Sequence, residues 1–335
     1  MTLRIGVLGV GRIGKMHAEL VARQVPGASL AMVQDINAEA AAAVAAELDV
    51  PFTTSIDELL DSGDVDAVAI CSSTDTHVPL MIAAAGAGKA IFCEKPVSLD
   101  LALVDQGLAA VDAGAVPLQI GFNRRFDPAH ASVRAAVVDG SVGDLHILRI
   151  TSRDPAPPPI PYIKVSGGLF LDMMIHDFDM ARFVTGSEVV DVYAQAAVRV
   201  DPAIGEAGDV DTAVVMLTHE NGCITTIDNS RQAVYGYDQR VEAFGSGGMA
   251  ASENPLSHTG MRRSAAGTIS QTIPYFFLDR YIPSYIEEWK AFVSYVTSGG
   301  PSPVSAEDGR APLVIGLAAW KSYREGRPVR CDEIG

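Results

Sequence analysis

The first third of the chain alternates short apolar runs with longer stretches whose apolar residues recur at helical spacing. Short apolar runs between turn residues are typical of buried strands, and the longer periodic stretches are typical of helices. Strands are predicted at Arg4–Gly9, Ala28–Val33, Ala67–Cys71, Ala90–Cys93 and Pro117–Phe122, with helices to about Val25 and over Asn37–Leu48, His77–Ala87 and Leu99–Ala113. This alternation predicts an α/β domain over residues 1–122, built on a doubly wound parallel sheet.

The pattern changes near Asn123, where the alternation breaks and strand-like runs begin to follow one another. After a helix to about Val138, strands are predicted at Leu145–Ser152, Val189–Val200, Thr212–Thr218, Cys223–Asp228, Val241–Phe244 and Thr268–Ile273. Asn221-Gly222 is a strong hairpin signal between two of them. This part of the chain also contains three predicted helices, at Gly167–Phe183, Tyr285–Val296 and Ala311–Tyr323. Residues 123–335 are therefore predicted to form an α+β domain with a mostly antiparallel sheet.

Charge and composition exclude several classes of partner. The 335 residues carry a formal net charge of -16, and such a surface repels both nucleic acid and anionic membranes. No apolar run approaches the length of a membrane span, and the short run Leu3–Val10 favours a first strand over a signal peptide. The four cysteines contain no CxxC pair, which favours reduced thiols in a cytoplasmic protein.

A glycine-rich turn follows the first predicted strand and carries the strongest motif of the sequence. It reads Gly9-Val10-Gly11-Arg12-Ile13-Gly14, and an acid, Asp35, ends the second predicted strand about 20 residues later. Glycines permit a tight turn and close approach of the backbone to a pyrophosphate, which the N-terminus of the next helix then binds. This context predicts a Rossmann-type dinucleotide site. Because the Asp35 carboxylate would repel a 2′-phosphate, NAD is expected rather than NADP.

Further polar residues follow the ends of two later strands, where ligands bind in doubly wound sheets. Ser72 and Thr74 follow one strand, and Glu94-Lys95-Pro96 ends the next. The Lys95 ammonium could hold a substrate hydroxyl or an oxyanion, and the alternative is a surface lysine in a turn. Glu94 could contact the cofactor or be a solvated acid. His77 could cap a helix, which is favoured, or lie near the cofactor phosphates.

The stretch Gly167–Phe183 is predicted to be a helix that carries the reactive groups. Its apolar residues Met174, Phe178 and Ala181 share one face, which is expected to meet a core. Asp172, His176 and Asp179 share the other face, and the four-residue spacing makes Asp172 and His176 neighbours. An aspartate that fixes the imidazole tautomer leaves the other ring nitrogen as a base. The alternative is an ordinary solvated polar face. No HxxxH pair or Cys/His cluster accompanies these residues, so no metal is expected.

Taken together, these motifs resemble the glucose–fructose oxidoreductase / inositol dehydrogenase family along nearly the whole chain. The resemblance lies in the glycine turn, in Glu94-Lys95-Pro96, and in the stretches Gly121–Pro128, Ser152–Pro159 and Ser166–Phe183. It implies that Lys95, Asp172 and His176 form the catalytic triad. His176 would take the hydroxyl proton while hydride passes to NAD, and Asp172 and Lys95 would orient a polyol, most specifically myo-inositol.

The same resemblance implies a second group of residues and an assembly. Arg125, Asp154, Tyr235 and Tyr285 are expected to contact ring hydroxyls, although an interdomain ion pair is the alternative for Arg125 and packing for each tyrosine. Related enzymes are usually homotetramers that associate through the open face of the second sheet. Three functions stay open: a cyclitol or sugar dehydrogenase, an enzyme that uses NAD cyclically in lyase or glycosidase chemistry, and a non-catalytic NAD-binding regulator.

Overall fold

The computed structural model describes residues 2–335 and divides the chain into two compact units. The first comprises the chain to Asn123 together with Ser284–Ala311, and the second comprises Arg124–Pro283 and Pro312–Gly335. The sequence boundary assigned all of residues 123–335 to the second domain. The segment from Ser284 lies with the first unit instead, because its Trp289 stacks on Phe92 with ring centroids 4.6 Å apart.

The first unit is the predicted doubly wound α/β fold, which is confirmed. Its strands are β1 (Leu3–Leu8), β2 (Ala28–Gln34), β3 (Phe52–Thr53), β4 (Ala67–Ile70), β5 (Ala90–Glu94) and β6 (Leu118–Gly121). Its helices are α1 (Arg12–Arg23), α2 (Ala38–Leu48), α3 (Ile56–Leu60), α4 (Thr74–Gly86) and α5 (Leu101–Gly114). All strand pairs are parallel in the order β3-β2-β1-β4-β5-β6. The order reverses between β1 and β4, which is where such folds bind ligands.

Local sequence explains where these elements begin. Asn37 and Asp100 accept hydrogen bonds from the first amides of α2 and α5 with their side chains, as N-cap residues do. Strand β4 is buried along its whole length, as expected for a parallel strand covered on both faces.

The second unit contains a mixed sheet covered by helices on one face. Its strands are β7 (Leu145–Arg153), β8 (Val189–Ala197), β9 (Thr212–His219), β10 (Ile224–Ser230), β11 (Asp238–Gly245), β12 (Gly248–Ser252), β13 (Arg262–Ser264), β14 (Gly267–Ile269) and β15 (Val329–Arg330). Its helices are α6 (Pro128–Val138), α7 (Ile160–Ile163), α8 (Ile175–Thr185) and α9 (Pro202–Glu206), and α10 (Phe277–Ser298) and α11 (Ala306–Glu325) contribute in part. The main sheet has the order β12-β11-β7-β10-β9-β8-β15, and only β7 and β10 pair in parallel.

The main sheet buries one face and leaves the other open. Along β9, Ala213, Val215 and Leu217 enter the core that also contains Phe178 of α8, whereas Val214 and Met216 alternate with them and are exposed. The predicted hairpin at Asn221-Gly222 is confirmed, since β9 and β10 pair in antiparallel register. The predicted strand Thr268–Ile273 is wrong beyond Ile269, because its polar residues 270–272 offer no apolar face to bury.

Candidate active site

The glycine turn between β1 and α1 has the geometry that a dinucleotide site requires. Gly9 has φ +86°, and a Cβ there would lie 2.6 Å from the Cα of Ser72. A Cβ on Gly14 would lie 1.8 Å from the carbonyl oxygen of Gly9, so that only glycine lets α1 pack this closely. A Cβ on Gly11 would meet nothing within 4 Å, and no side chain caps the helix. A helix N-terminus that no side chain caps, beginning here at Arg12 and Ile13, is of the kind that binds phosphate.

Asp35 lies directly after β2 and is tied to this turn. One carboxylate oxygen accepts the amide of Val10 at 2.8 Å, and the other accepts the amide of Asn37 at 2.9 Å. Each oxygen keeps a second lone pair, so the carboxylate can still accept a ribose hydroxyl. Asp35 thus fixes the turn and, in the same place, presents the negative charge expected to disfavour a 2′-phosphate.

His77 connects the loops that follow β4 and β5. Its Nδ1 lies 2.9 Å from the carbonyl oxygen of Pro96 and its Nε2 lies 3.1 Å from that of Ser72. The ring is buried, and burial lowers its pKa. Thr74 begins α4 and is half-buried beside this connection. Because a neutral imidazole carries one N–H, His77 donates to one of these carbonyls and packs against the other, between the two loops. This is not the helix cap favoured from sequence, and a place near the cofactor phosphates stays a prediction.

Glu94 and Lys95 lie at the end of β5, and the Lys95-Pro96 peptide bond is cis. The Glu94 carboxylate is buried, with Nε2 of His17 at 2.7 Å from one oxygen. Its other oxygen accepts the amide of Lys95 at 3.2 Å. The expectation of a solvated acid is wrong, because Glu94 binds groups inside the protein. The Lys95 side chain follows it and is half-buried.

Asp172 lies in a π-helical turn, Leu169–Met173, that precedes α8. One of its oxygens accepts the Tyr162 hydroxyl at 2.8 Å, and the other lies 3.5 Å from a guanidinium nitrogen of Arg231. Arg231 is 1% exposed and also lies 3.5 Å from Asp209, whose carboxylate accepts the Leu169 amide at 2.9 Å. Neither partner was predicted from sequence: Tyr162 lies in the short helix α7, and Arg231 comes from the end of β10, 59 residues beyond Asp172.

His176 lies in the first turn of α8 and is half-buried. The predicted core face is confirmed, since Met174, Phe178 and Ala181 are all fully buried. The alternative of a solvated polar face on the opposite side of the helix is wrong, because Asp179 is also buried. Almost the whole circumference of α8 is therefore enclosed by protein, and its half-buried histidine is an exception.

The two consecutive arginines pair with two aspartates of α8. Arg124 donates to Asp177 at 2.6 Å, and Arg125 donates to both oxygens of Asp179, at 2.9 Å to Oδ2 through Nε. Arg125 also lies 5.2 Å from the ring centroid of Phe183. Both ion pairs are within the second unit, so neither is the interdomain pair considered from sequence. Arg125 thus pairs with a buried carboxylate, and its contact with a ring hydroxyl stays a prediction.

The remaining predicted contacts lie in different surroundings. Burial raises the pKa of Asp154 to about 6, although Arg231 opposes this shift and Asp172 adds to it. The Tyr235 hydroxyl donates to Asp238 at 2.7 Å and is half exposed. Tyr285 belongs to the first unit, where it is buried with its ring edge against His17. The charges of Arg231 and Asp172 thus act on Asp154, and both tyrosines have other contacts; ring-hydroxyl contacts of these three residues stay a prediction.

Among residues 2–335, no group of three or more histidine, cysteine, aspartate or glutamate side chains is arranged to hold a metal ion. Within the same part of the chain, no helix has both the length and the apolarity needed to cross a bilayer.

Known proteins match this chain from end to end. Residues 3–122 match the family described as "Oxidoreductase family, NAD-binding Rossmann fold", and residues 130–251 match the "GFO/IDH/MocA C-terminal domain". The protein named "Myo-inositol 2-dehydrogenase" from Thermotoga maritima is 49% identical over 99% of both chains. "Inositol 2-dehydrogenase" from Rhizobium meliloti is 45% identical over 98% of this chain and 99% of its own.

A solved structure extends the similarity to a liganded relative. The scyllo-inositol dehydrogenase of Lactobacillus casei, described as having bound NAD(H) and scyllo-inositol, superposes with a TM-score of 0.92. It is 29% identical and covers 99% of this chain and 100% of its own. The glycine turn, the two-unit fold and these matches lead to one conclusion: the chain belongs to the GFO/IDH/MocA family of NAD-binding oxidoreductases.

Proposed function

We propose that the protein is an NAD-dependent inositol 2-dehydrogenase that oxidises the C2 hydroxyl of myo-inositol to 2-keto-myo-inositol. The observation that carries the proposal is the 49% identity, along 99% of both chains, with a protein named for that reaction. Lys95, Asp172 and His176, which the family resemblance identifies as catalytic, are all present in this chain.

The residues of the first unit fit NAD. The open N-terminus of α1 would bind the pyrophosphate, with Arg12 and Ile13 beside it, and Asp35 would bind the adenosine ribose. We propose that Ser72 and Thr74, at the end of β4, contribute to the same site. When bound, NAD supplies the acceptor for the hydride. Glu94 and His77 support this region from within, through contacts to Lys95 and Pro96.

Each of the three reactive side chains has a separate role in the proposed reaction. His176 takes the proton of the C2 hydroxyl as general base. Lys95 donates to the same oxygen as it becomes a carbonyl, which stabilises the charge that develops there. Asp172 orients the substrate through its hydroxyls, and is itself oriented by Tyr162 and Arg231. Asp154 is a proposed contact to another ring hydroxyl.

The chemistry of the site favours a compact neutral polyol. The proposed contacts combine cationic Lys95 with carboxylates of Asp154 and Asp172, so a ligand with hydroxyls on every side satisfies them better than a carboxylate or a phosphate. A site that binds hydroxyls rejects analogues that lack them, because its own polar groups are then left unpaired. A specific alternative is scyllo-inositol, which is bound by the related Lactobacillus casei enzyme.

A polyol screen tests the proposal. The purified protein is offered inositol isomers and common hexoses with NAD or NADP, and NADH or NADPH formation is followed by absorbance. We expect myo-inositol and NAD to give the highest kcat/KM, with activity that survives EDTA. A pyranose that outperforms every inositol would instead identify a sugar dehydrogenase. Absence of net NADH with any polyol would favour cyclic use of NAD or a regulator.

We also propose a homotetramer that acts in polyol catabolism in the cytoplasm. The open face of the main sheet exposes the apolar side chains Val214, Met216, Phe244 and Met249, and apolar patches of this kind are typical of interfaces. The four free cysteines are compatible with a reducing compartment. Light scattering after gel filtration should give four times the chain mass of 35.3 kDa. Met216→Asp should lower that mass, and a monomeric wild type would contradict the assembly.

A further inference from the structure

A chain of hydrogen bonds links helix α1 to the backbone of Lys95. The indole Nε1 of Trp289 lies 2.9 Å from Nδ1 of His17, and Nε2 of His17 lies 2.7 Å from the Glu94 carboxylate. The other oxygen of Glu94 accepts the amide of Lys95 at 3.2 Å. All four residues belong to the first unit.

The chemistry of the donors fixes the direction of this chain. An indole nitrogen can only donate, so Nδ1 of His17 must accept and carries no proton. In the neutral imidazole the proton then resides on Nε2, which donates to Glu94. Trp289 thus selects the one tautomer of His17 that can hold the carboxylate.

Packing leaves these groups little freedom to move. His17 is fully buried, with Phe92 and Tyr285 in edge contact at centroid distances of 5.3 and 5.4 Å. Glu94 lies against Gly121, where an added Cβ would come within 3.1 Å of the carboxyl carbon. Without the imidazole donor, one oxygen of a buried carboxylate would lose its partner. Rotation to regain a partner would break its bond to the Lys95 amide.

We propose that His17 is a positioning residue for the proposed dehydrogenase reaction, acting through Glu94 to hold Lys95 in its productive place. The inference rests on the proposed role of Lys95 and adds a residue of the cofactor-binding helix to it. We assign fully buried His17 no contact with substrate or with the transferred hydride. Its effect is therefore expected in turnover, because misplacement of a reacting group by a fraction of an ångström lowers rates steeply.

Two amide substitutions separate positioning from packing. The terminal nitrogen of glutamine lies as many bonds from Cα as Nε2 of histidine, so His17→Gln keeps a donor for Glu94 and loses the acceptor for Trp289. Asparagine reaches only as far as Nδ1, so His17→Asn keeps the acceptor for Trp289 and loses the donor for Glu94. Each variant loses one of the two hydrogen bonds of His17 at the same buried position. The two variants are therefore matched controls for the effect on stability.

Turnover and NAD binding are measured for both variants at a temperature well below either Tm. We expect His17→Asn to lower kcat by about tenfold or more, with Kd for NAD within about twofold of wild type, while His17→Gln stays within about threefold. Hydrogen exchange at the Lys95 amide should accelerate in the asparagine variant alone. Equal turnover in the two variants, or unchanged Lys95 exchange in both, would overturn the proposal.

The exchange measurement also separates this inference from the proposed function. If the wild-type protein oxidises no polyol, the proposed function fails, while exchange at Lys95 still decides whether His17 holds that residue. If His17→Asn does not fold, His17→Gln can still contradict the proposal. Loss of its turnover or of protection at its Lys95 amide, with NAD binding retained, would contradict the role of the Nε2 donor.

Discussion

The hydroxyl of Tyr162 is expected to contribute to catalysis, because it donates to Asp172 at 2.8 Å. Tyr162→Phe removes this donor and preserves the ring. A hydrogen bond to a charged group contributes about 1.5–3 kcal/mol. Because Tyr162 is 48% exposed, water can replace part of that interaction, and the lower end applies. A loss of about 1.5 kcal/mol in transition-state stabilisation corresponds to about a tenfold lower kcat/KM for myo-inositol.

The assay is steady-state NADH formation, accompanied by Tm and by Kd for NAD. The Tm and the Kd for NAD should both stay close to wild type, since Tyr162 is partly exposed and lies in the second unit. Tyr295→Phe is the matched control, because it removes a phenolic oxygen from α10 in the first unit. If kcat/KM of Tyr162→Phe stays within about twofold of wild type, the hydrogen bond to Asp172 does not contribute to catalysis and the prediction is refuted.

Three further substitutions test other parts of the structure. His176→Ala should lower kcat by about 10²-fold or more with NAD affinity nearly unchanged, and wild-type turnover would place the base elsewhere. Burial raises the pKa of Asp154 to about 6, so its protonated form adds stability at low pH that is lost as pH rises through that value. Asp154→Asn should therefore reduce the fall in Tm between about pH 4 and pH 6, and an unchanged fall would contradict this pKa. Asp179→Asn removes the buried carboxylate that pairs with Arg125, and it should lower the free energy of unfolding in urea by about 3–5 kcal/mol. The control Glu242→Gln breaks an exposed pair with Arg149 and should cost about 0–1 kcal/mol.

The fold of the first unit was largely predictable because its signals are local. Buried parallel strands read as apolar runs, and the glycine turn with Asp35 has a fixed spacing. The same holds for the hairpin at Asn221-Gly222 and for the core face of α8. The strand Thr268–Ile273 was mispredicted beyond Ile269, where residues 270–272 are polar and offer no apolar face to bury.

By itself the sequence determined the family, the dinucleotide turn and the candidate catalytic set of Lys95, Asp172 and His176, because those depend on residue types at short, fixed spacings. Only the tertiary structure decided what each charged group contacts. Glu94 was expected to meet cofactor or solvent, yet it receives a bond from His17, which is 77 residues away. Asp172 is held by Tyr162 and Arg231, and the latter is 59 residues away in sequence. Such partners are chosen by how strands and loops pack, and no local pattern records which distant side chain will satisfy a buried charge.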